Sequence, residues 1–242
     1  MADRTIDEIL NFVEENDVKF IRLAFCDIFG NQKNISIMPC ELEKAFTTGI
    51  NFDSVLVLGY DDPVYQDLFL LPDPSTLNIL PWRPQQGRVV RFYCDVVLAD
   101  GTPYPYDARK FLRDALVECS EMGFACRMGL KSEFYLFKTD EEGRPTQEPW
   151  DEGGYFDISP LDRGENIRRE ICLCLEEMGI QPESSHHENG PGQNEIDFRA
   201  SDAMSTADNF ITYKNVVSAI SERNGVYASF APKPIRGKSG NG

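Results

Sequence analysis

Three acids and both histidines of the chain fall within "SSHHENGPGQNEIDFR", residues 184–199. Glu188 precedes a Gly-Pro-Gly loop, and Glu195 and Asp197 follow it. A loop of this kind folds the chain back on itself, so Glu188 and Glu195 approach from two neighbouring strands. A third acid, Glu133, sits in "SEFYLF" (132–137), where alternation along a strand places it with Tyr135 and Phe137 on one face and Phe134 and Leu136 on the other. An unpaired carboxylate among aromatics is costly to bury, so Glu133 lies at a wet strand end or serves a ligand. Carboxylates with no cysteine beside them describe an oxygen-rich site suited to Mg²⁺ or Mn²⁺ rather than Zn²⁺. The competing reading is exposed acids on strand ends beside two solvated histidines.

Two other motifs fail on geometry. "GKS" (237–239) would complete a phosphate-binding loop only with glycine at 232, where Pro232 stands. Cys172 and Cys174 in "CLC" lie about 200° apart around a helix, which is poor geometry for sharing a metal.

The elements that must position these residues follow from pattern. Thr5 and Glu8 form a capping box for a helix with Ile6, Ile9, Leu10 and Val13 on one face. "VKFIRLAFC" (18–26) and "QKNISIM" (32–38) pair as strands across a turn at Gly30-Asn31. A short helix near Glu41–Phe46 and an irregular stretch follow. "LFLLPDPSTLNILPWRP" (68–84) holds four prolines and is therefore extended and looping. "RVVRFYCDVVL" (88–98) is a strand. Residues 107–122 form an amphipathic helix (Phe111, Leu112, Ala115, Leu116, Cys119) stopped by Gly123. "GFACRM" and "SEFYLFK" are expected as adjacent strand segments. Asp162 and Glu165 form a capping box for a helix ending at Gly179. A long helix over about 201–223 buries Phe210, Tyr213, Val217 and Ile220, and 226–231 is a last strand. The pattern divides the chain into a small α+β region, 1–104, and a second region, 105–242. Glycine-rich sequence directly after a strand, "KPIRGKSGNG", predicts that the second sheet is incomplete and the chain truncated.

Composition sets outer bounds. The 242 residues suffice for one large or two smaller cores. No apolar run approaches the ~20 residues of a bilayer-spanning helix, and the acidic amino terminus is not a signal peptide. A net charge of −16 excludes bulk binding to nucleic acid. It suits carboxylates gathered round a hard cation, or simply an acidic, soluble surface. Seven cysteines with no C-x-x-C pair point to reduced thiols and a cytoplasmic protein.

"SEFYLF", "GGYFD", "SSHHENGPGQNEIDFR" and "APKP…SGNG", in this order, resemble the bacterial type I glutamine synthetases. "GINFD", "LLPDPSTLNILPWRP" and "DGTPYPYDAR" extend the resemblance upstream, so it covers essentially the whole chain. It implies an amino-terminal β-grasp domain (1–104), followed by the amino-terminal part of a catalytic domain (105–242) built on a curved antiparallel sheet. Family subunits form rings, with each site shared between one subunit's catalytic sheet and its neighbour's β-grasp domain. The implied reaction activates glutamate with ATP as γ-glutamyl phosphate, which ammonia attacks, while Mg²⁺ or Mn²⁺ offsets the phosphoryl charge. By motif, Glu133, Glu188 and Glu195 match ligands of the first metal. Glu188, Tyr155 and Asp53 match the groups that hold ammonium, with Asp53 the proton acceptor in a neighbouring subunit's site. Gly240, in "SGNG", matches the start of the glutamate-binding loop. The family's next ligand histidine would fall beyond Gly242, so this chain alone is expected to be inactive. His186 and His187 receive no assigned role.

The chain departs from the family pattern twice. "GLKSEF" carries Lys131 where the family's G-x-E-x-E-F has a glutamate for the second metal. Lys131 and Glu133, two apart on one strand, would leave the same face. The lysine then swings to solvent, loses its proton, or supplies its own charge in place of a cation. "FDSVLVLGY" is also apolar after Asp53, where the family has small polar residues. Both favour a catalytically degenerate binding or scaffold subunit, whereas the intact Glu133, Glu188 and Glu195 favour a synthetase or a closely related γ-glutamyl–amine ligase.

Overall fold

The computed structural model describes residues 5–60 and 67–242. The expected irregular stretch after the second helix lies partly outside them, as do the first four residues of the acidic amino terminus. The chain divides into two compact units, 1–126 and 127–242.

In the first unit, Thr5 opens helix α1 (Ile6–Glu15) with the expected box. Its hydroxyl accepts the Glu8 N–H at 3.3 Å, and the Glu8 carboxylate accepts the Thr5 N–H at 2.7 Å. Strands β1 (Val18–Cys26) and β2 (Gln32–Ile37) form an antiparallel hairpin. Asp27 closes its turn by accepting the N–H groups of Phe29 and Asn31, and Gly30 supplies the left-handed residue at φ 72°. Helix α2 (Leu42–Thr48), β3 (Ile50–Asp53), β4 (Asp67–Pro72), β5 (Asn78–Ile79) and β6 (Arg88–Val97) follow. The sheet runs β2-β1-β6-β4-β3, with β5 also on β6. Its β1–β6 pair is parallel. Ile9 and Val13 of α1 and Leu42 and Ala45 of α2 pack on Ile21, Leu23, Leu70, Val90 and Phe92 to form the core.

Helix α3 (Ala108–Glu121) departs from expectation in how it is held. Asp107 caps it, but none of its residues is buried, and Phe111 of the predicted apolar face is exposed. Among the described residues of this unit no layer covers that face. Ion pairs attach the helix instead: Arg109 to Asp73 at 2.6 Å and to Asp95 at 3.1 Å, and Arg113 to Asp95 at 2.9 Å.

The second unit contains β7 (Arg127–Met128), β8 (Glu133–Thr139), β9 (Pro145–Pro149), α4 (Glu165–Glu177), β10 (Pro182–His187), β11 (Gln193–Phe198), β12 (Ser201–Asp202), α5 (Ala203–Arg223) and β13 (Val226–Ser229). The sheet runs β10-β11-β8-β13, with β9 also on β8, and every pairing is antiparallel. Tyr213, Val217 and Ile220 of α5 and Ile167, Ile171 and Leu175 of α4 are buried, and Tyr213 packs its ring on Phe134 and Phe198. Phe210 of the predicted α5 face is only half-buried.

Three local expectations are corrected here. "GFACRM" does not neighbour β8, because its short strand β7 pairs with β12, more than seventy residues on. The box at α4 does not form: Gly164 is the cap residue, and Asp162 turns to the Arg168 guanidinium at 2.5 Å. Lys131 lies outside β8, which starts at Glu133. All seven cysteines are free, and Cys94 and Cys174 are buried. Among the described residues no helix is long and apolar enough to cross a membrane.

Candidate metal centre

Register alone lines up three side chains. His186 of β10 lies opposite Glu195 of β11, and Glu195 lies opposite Glu133 of β8. Side chains directly opposite in an antiparallel sheet are near neighbours. Glu188 follows β10, held by its N–H donating to the Gln193 carbonyl at 2.8 Å. Ligand atoms of Glu133, Glu188 and Glu195 lie within 4.8 Å of one another, as do those of His186, Glu195 and Asp197. Glu195 belongs to both groups.

The glycines of the intervening loop make this approach feasible. Gly192 has φ 69°, and a Cβ there would stand 2.6 Å from the Leu136 carbonyl oxygen. A Cβ on Gly190 would stand 2.0 Å from the Tyr135 hydroxyl. Either contact is too short for a side chain to occupy. The Gln193 amide then ties the loop to the cluster, donating to Glu133 Oε2 and to the Gly240 carbonyl, both at 2.9 Å. Gly242 N–H donates to the same Glu133 oxygen at 3.0 Å. Gly240 is itself constrained, since a Cβ would meet the Pro232 carbonyl at 2.7 Å.

The electrostatics are unbalanced. The Glu195 side chain is 1% exposed, and neither carboxylate oxygen accepts a hydrogen bond of good geometry. Its nearest counter-charge among the described residues is Lys131, whose Nζ is 2.8 Å from Oε1, while His186 Nε2 is 3.8 Å away. Burial pushes the Glu195 carboxyl upward, but Lys131 and Glu188 more than offset it, so its pKa falls. Glu188 moves the other way: burial raises it, and Glu195 and Glu133 add to the rise against the Asn189 N–H. Like charges this close cannot ionise independently. Orphaned buried oxygens on acids that repel one another are what a hard cation would satisfy, so the donor set fits Mg²⁺ or Mn²⁺.

The other predicted site residues are not in the cluster. Tyr155 is exposed, stacked on Phe156 at 3.9 Å, with its ring edge-on to His186 at 5.8 Å. Asp53 belongs to the first unit, exposed at the end of β3, where its carboxylate accepts the Val55 N–H at 3.2 Å. His187, without a role in the sequence reading, is fully buried. His187 Nε2 donates to Asp151 Oδ1 at 2.8 Å and Nδ1 to the Glu188 carbonyl at 2.6 Å, so the ring carries two protons and fixes the backbone of Glu188. Burial opposes that charge, but Asp151 and the carbonyl hold the His187 pKa above the ordinary imidazole range. Asp151 also accepts Gly192 N–H at 2.9 Å, securing the loop at both ends. No local pattern announces this pair, because its partners are 36 residues apart.

The family model described as "Glutamine synthetase, catalytic domain" matches residues 105–242, and "Glutamine synthetase, beta-Grasp domain" matches 17–99. A glutamine synthetase of Clostridium saccharobutylicum is 49% identical over 242 residues, covering 100% of this chain and 55% of the relative. One of Methanosarcina mazei is 48% identical over 238 residues, covering 98% and 53%. The chain thus spans about half the length of the curated relatives it matches. Among solved structures, ligand-free GmaS superposes with a TM-score of 0.87 at 27% identity, covering 98% of this chain and 55% of that one. Plasmodium falciparum glutamine synthetase superposes with a TM-score of 0.88 at 21% identity, over 100% and 53%, a likeness of fold. With both family models matched in order along its length, the chain belongs to the glutamine synthetase family.

Proposed function

We propose that this chain carries the β-grasp domain (1–104) and the metal-binding carboxylates, within 105–242, of an ATP-dependent ligase joining ammonia to glutamate through γ-glutamyl phosphate. The observation that carries the reading is the convergence of Glu133, Glu188 and a buried Glu195 with unsatisfied oxygens. These three would hold Mg²⁺ or Mn²⁺, and the bound ion would offset negative charge on the transferred phosphoryl group. Glu188, fixed by His187, would hold the ammonium with Tyr155. Asp53, in the β-grasp domain of a neighbouring subunit, would accept its proton, in a cytoplasmic ring that forms from full-length subunits. Gly240 would begin the glutamate-binding loop.

Titration of the purified chain with Mn²⁺, read by electron paramagnetic resonance, tests the ligand set. Glu195→Gln removes one of three carboxylates and is expected to weaken binding at least on the order of tenfold, because hard cations depend on ligand charge. Unchanged binding would remove Glu195 from the set. The Lys131–Glu195 pair favours a second reading, a catalytically degenerate subunit. ATP-dependent glutamine formation by the protein assembled over the family's full length would exclude it.

A further inference from the structure

The two acidic groups overlap at a single residue, and a cation already stands at the overlap. Glu133, Glu188 and Glu195 form one set, and His186, Glu195 and Asp197 the other. Lys131 Nζ lies 2.8 Å from Glu195 Oε1, and the other acids whose charges it feels are Asp197 and Glu133. An ordinary surface ion pair joins two solvated groups and contributes little. This pair is lopsided: the lysine side chain is 70% exposed while the carboxylate is 1% exposed. The long stem therefore lies in water and delivers its ammonium to a buried oxygen. A divalent ion on that oxygen would face a fixed positive charge at contact distance. Glu195 Oε2 accepts no hydrogen bond of good geometry, and the Glu188 carboxyl lies against the Glu195 carboxyl, so an ion there would be shared by the two acids. Asp197 keeps one oxygen on the Ser184 hydroxyl at 2.8 Å and the other unpartnered, so it too offers charge to the lysine.

We propose that the Lys131 ammonium is a tethered cation filling the Glu195–Asp197 side of the cluster, leaving one divalent-ion position on the Glu133–Glu188 side. The lysine sets the number of bound metal ions and weakens the one that remains. It is a specificity-determining residue rather than a ligand. The inference rests on reading Glu133, Glu188 and Glu195 as metal ligands.

The test is Mn²⁺ stoichiometry and affinity, by electron paramagnetic resonance and calorimetry, for the 242-residue chain and three variants: Lys131→Gln, Lys131→Glu and Glu195→Gln. Because Lys131 is the counter-charge of a buried carboxylate, thermal melts establish that each variant is folded before its binding is read. The unsubstituted chain is expected to bind one ion. Lys131→Gln should tighten it about thirtyfold, the effect of a unit charge at ~4 Å on a divalent ion through a water-like medium. Lys131→Glu should add a second ion. Two ions on the unsubstituted chain overturn the inference, as does an unaltered affinity in Lys131→Gln while Glu195→Gln loses binding. If no variant binds Mn²⁺, the metal reading itself falls and the role of Lys131 falls with it. The Glu195→Gln arm separates these two failures.

Discussion

A buried carboxylate must find a counter-charge, find donors or keep its proton, and this chain uses different solutions at Glu195 and Asp107. Glu195 is held ionised by Lys131 across the cluster. Asp107, the cap of α3, is equally enclosed, and burial pushes its pKa up to about 6 although the N–H groups of Val96, Lys110 and Arg109 donate to it. The sign of the consequence is fixed. The unfolded carboxyl has a pKa of ~3.9, so between roughly pH 4 and 6 the folded state holds a proton that the unfolded state releases. Stability of the first unit therefore falls as pH rises through that window, by about 3 kcal/mol in all. Asp107→Asn keeps an acceptor for the cap and cannot ionise. Urea denaturation at pH 5, 6 and 7 should show the loss in the unsubstituted chain and a flatter profile in the variant. Parallel profiles would mean that Asp107 titrates normally.

At the scale of elements, the start of α4 shows what decides between two uses of one side chain. Asp162 has the spacing of a capping box, but a charge-assisted pair to a guanidinium is stronger than a neutral hydrogen bond. Arg168 reaches Asp162 with both terminal nitrogens, one of which also meets Asn194 Oδ1 at 2.5 Å beside Glu195. Both members are buried. Arg168→Met strips the buried Asp162 carboxylate of its guanidinium partner and should cost about 3–5 kcal/mol, with part recovered by adding Asp162→Asn. Equal melting temperatures for the single and double variants would show that the pair is not coupled. The same competition explains what could be read from sequence. The Thr5–Glu8 box formed because nothing nearby outbids it. Strands with strong period or β-branched runs (18–26, 88–97, 133–139) stand within a residue or two of expectation. The convergence of Glu133, Glu188 and Glu195 was legible because alternation and a glycine loop are local properties. Lys131 was legible as a charge beside Glu133, but its pairing with Glu195 was not, because that depends on where β8 starts; His186 and Asp151 were not legible, since their contacts depend on the β10–β11 register and on a partner far along the chain. The α3 face was legible as a pattern, but pattern does not say what covers it.

Across the whole molecule, apolar exposure and charge oppose one another. Leu56 is 84% exposed, Ile158 76% and Phe111 75%, so apolar side chains are available for contact with another copy. Among the described residues strand β13 is also a sheet edge, pairing with β8 alone, and unpaired edges template association. Against both stands a net charge of −16, which makes copies repel one another while they are closer than a Debye length, ~30 Å at 0.01 M salt and ~3 Å at 1 M. Sedimentation should therefore show mainly monomer at low salt and growing association as salt rises, at fixed protein concentration. Lowering the pH towards the sequence pI of 4.5 should act in the same direction. The route can be separated from the driving force. Tyr227 lies in β13 with its ring partly exposed, and Tyr227→Lys places a charge on the edge without disturbing the buried Val226 and Ala228. If strands pair edge to edge, this variant stays monomeric at 1 M salt. If it associates as the unsubstituted chain does, the exposed apolar side chains carry the contact instead. A single monomeric boundary for both chains at every salt concentration would show that neither surface is adhesive.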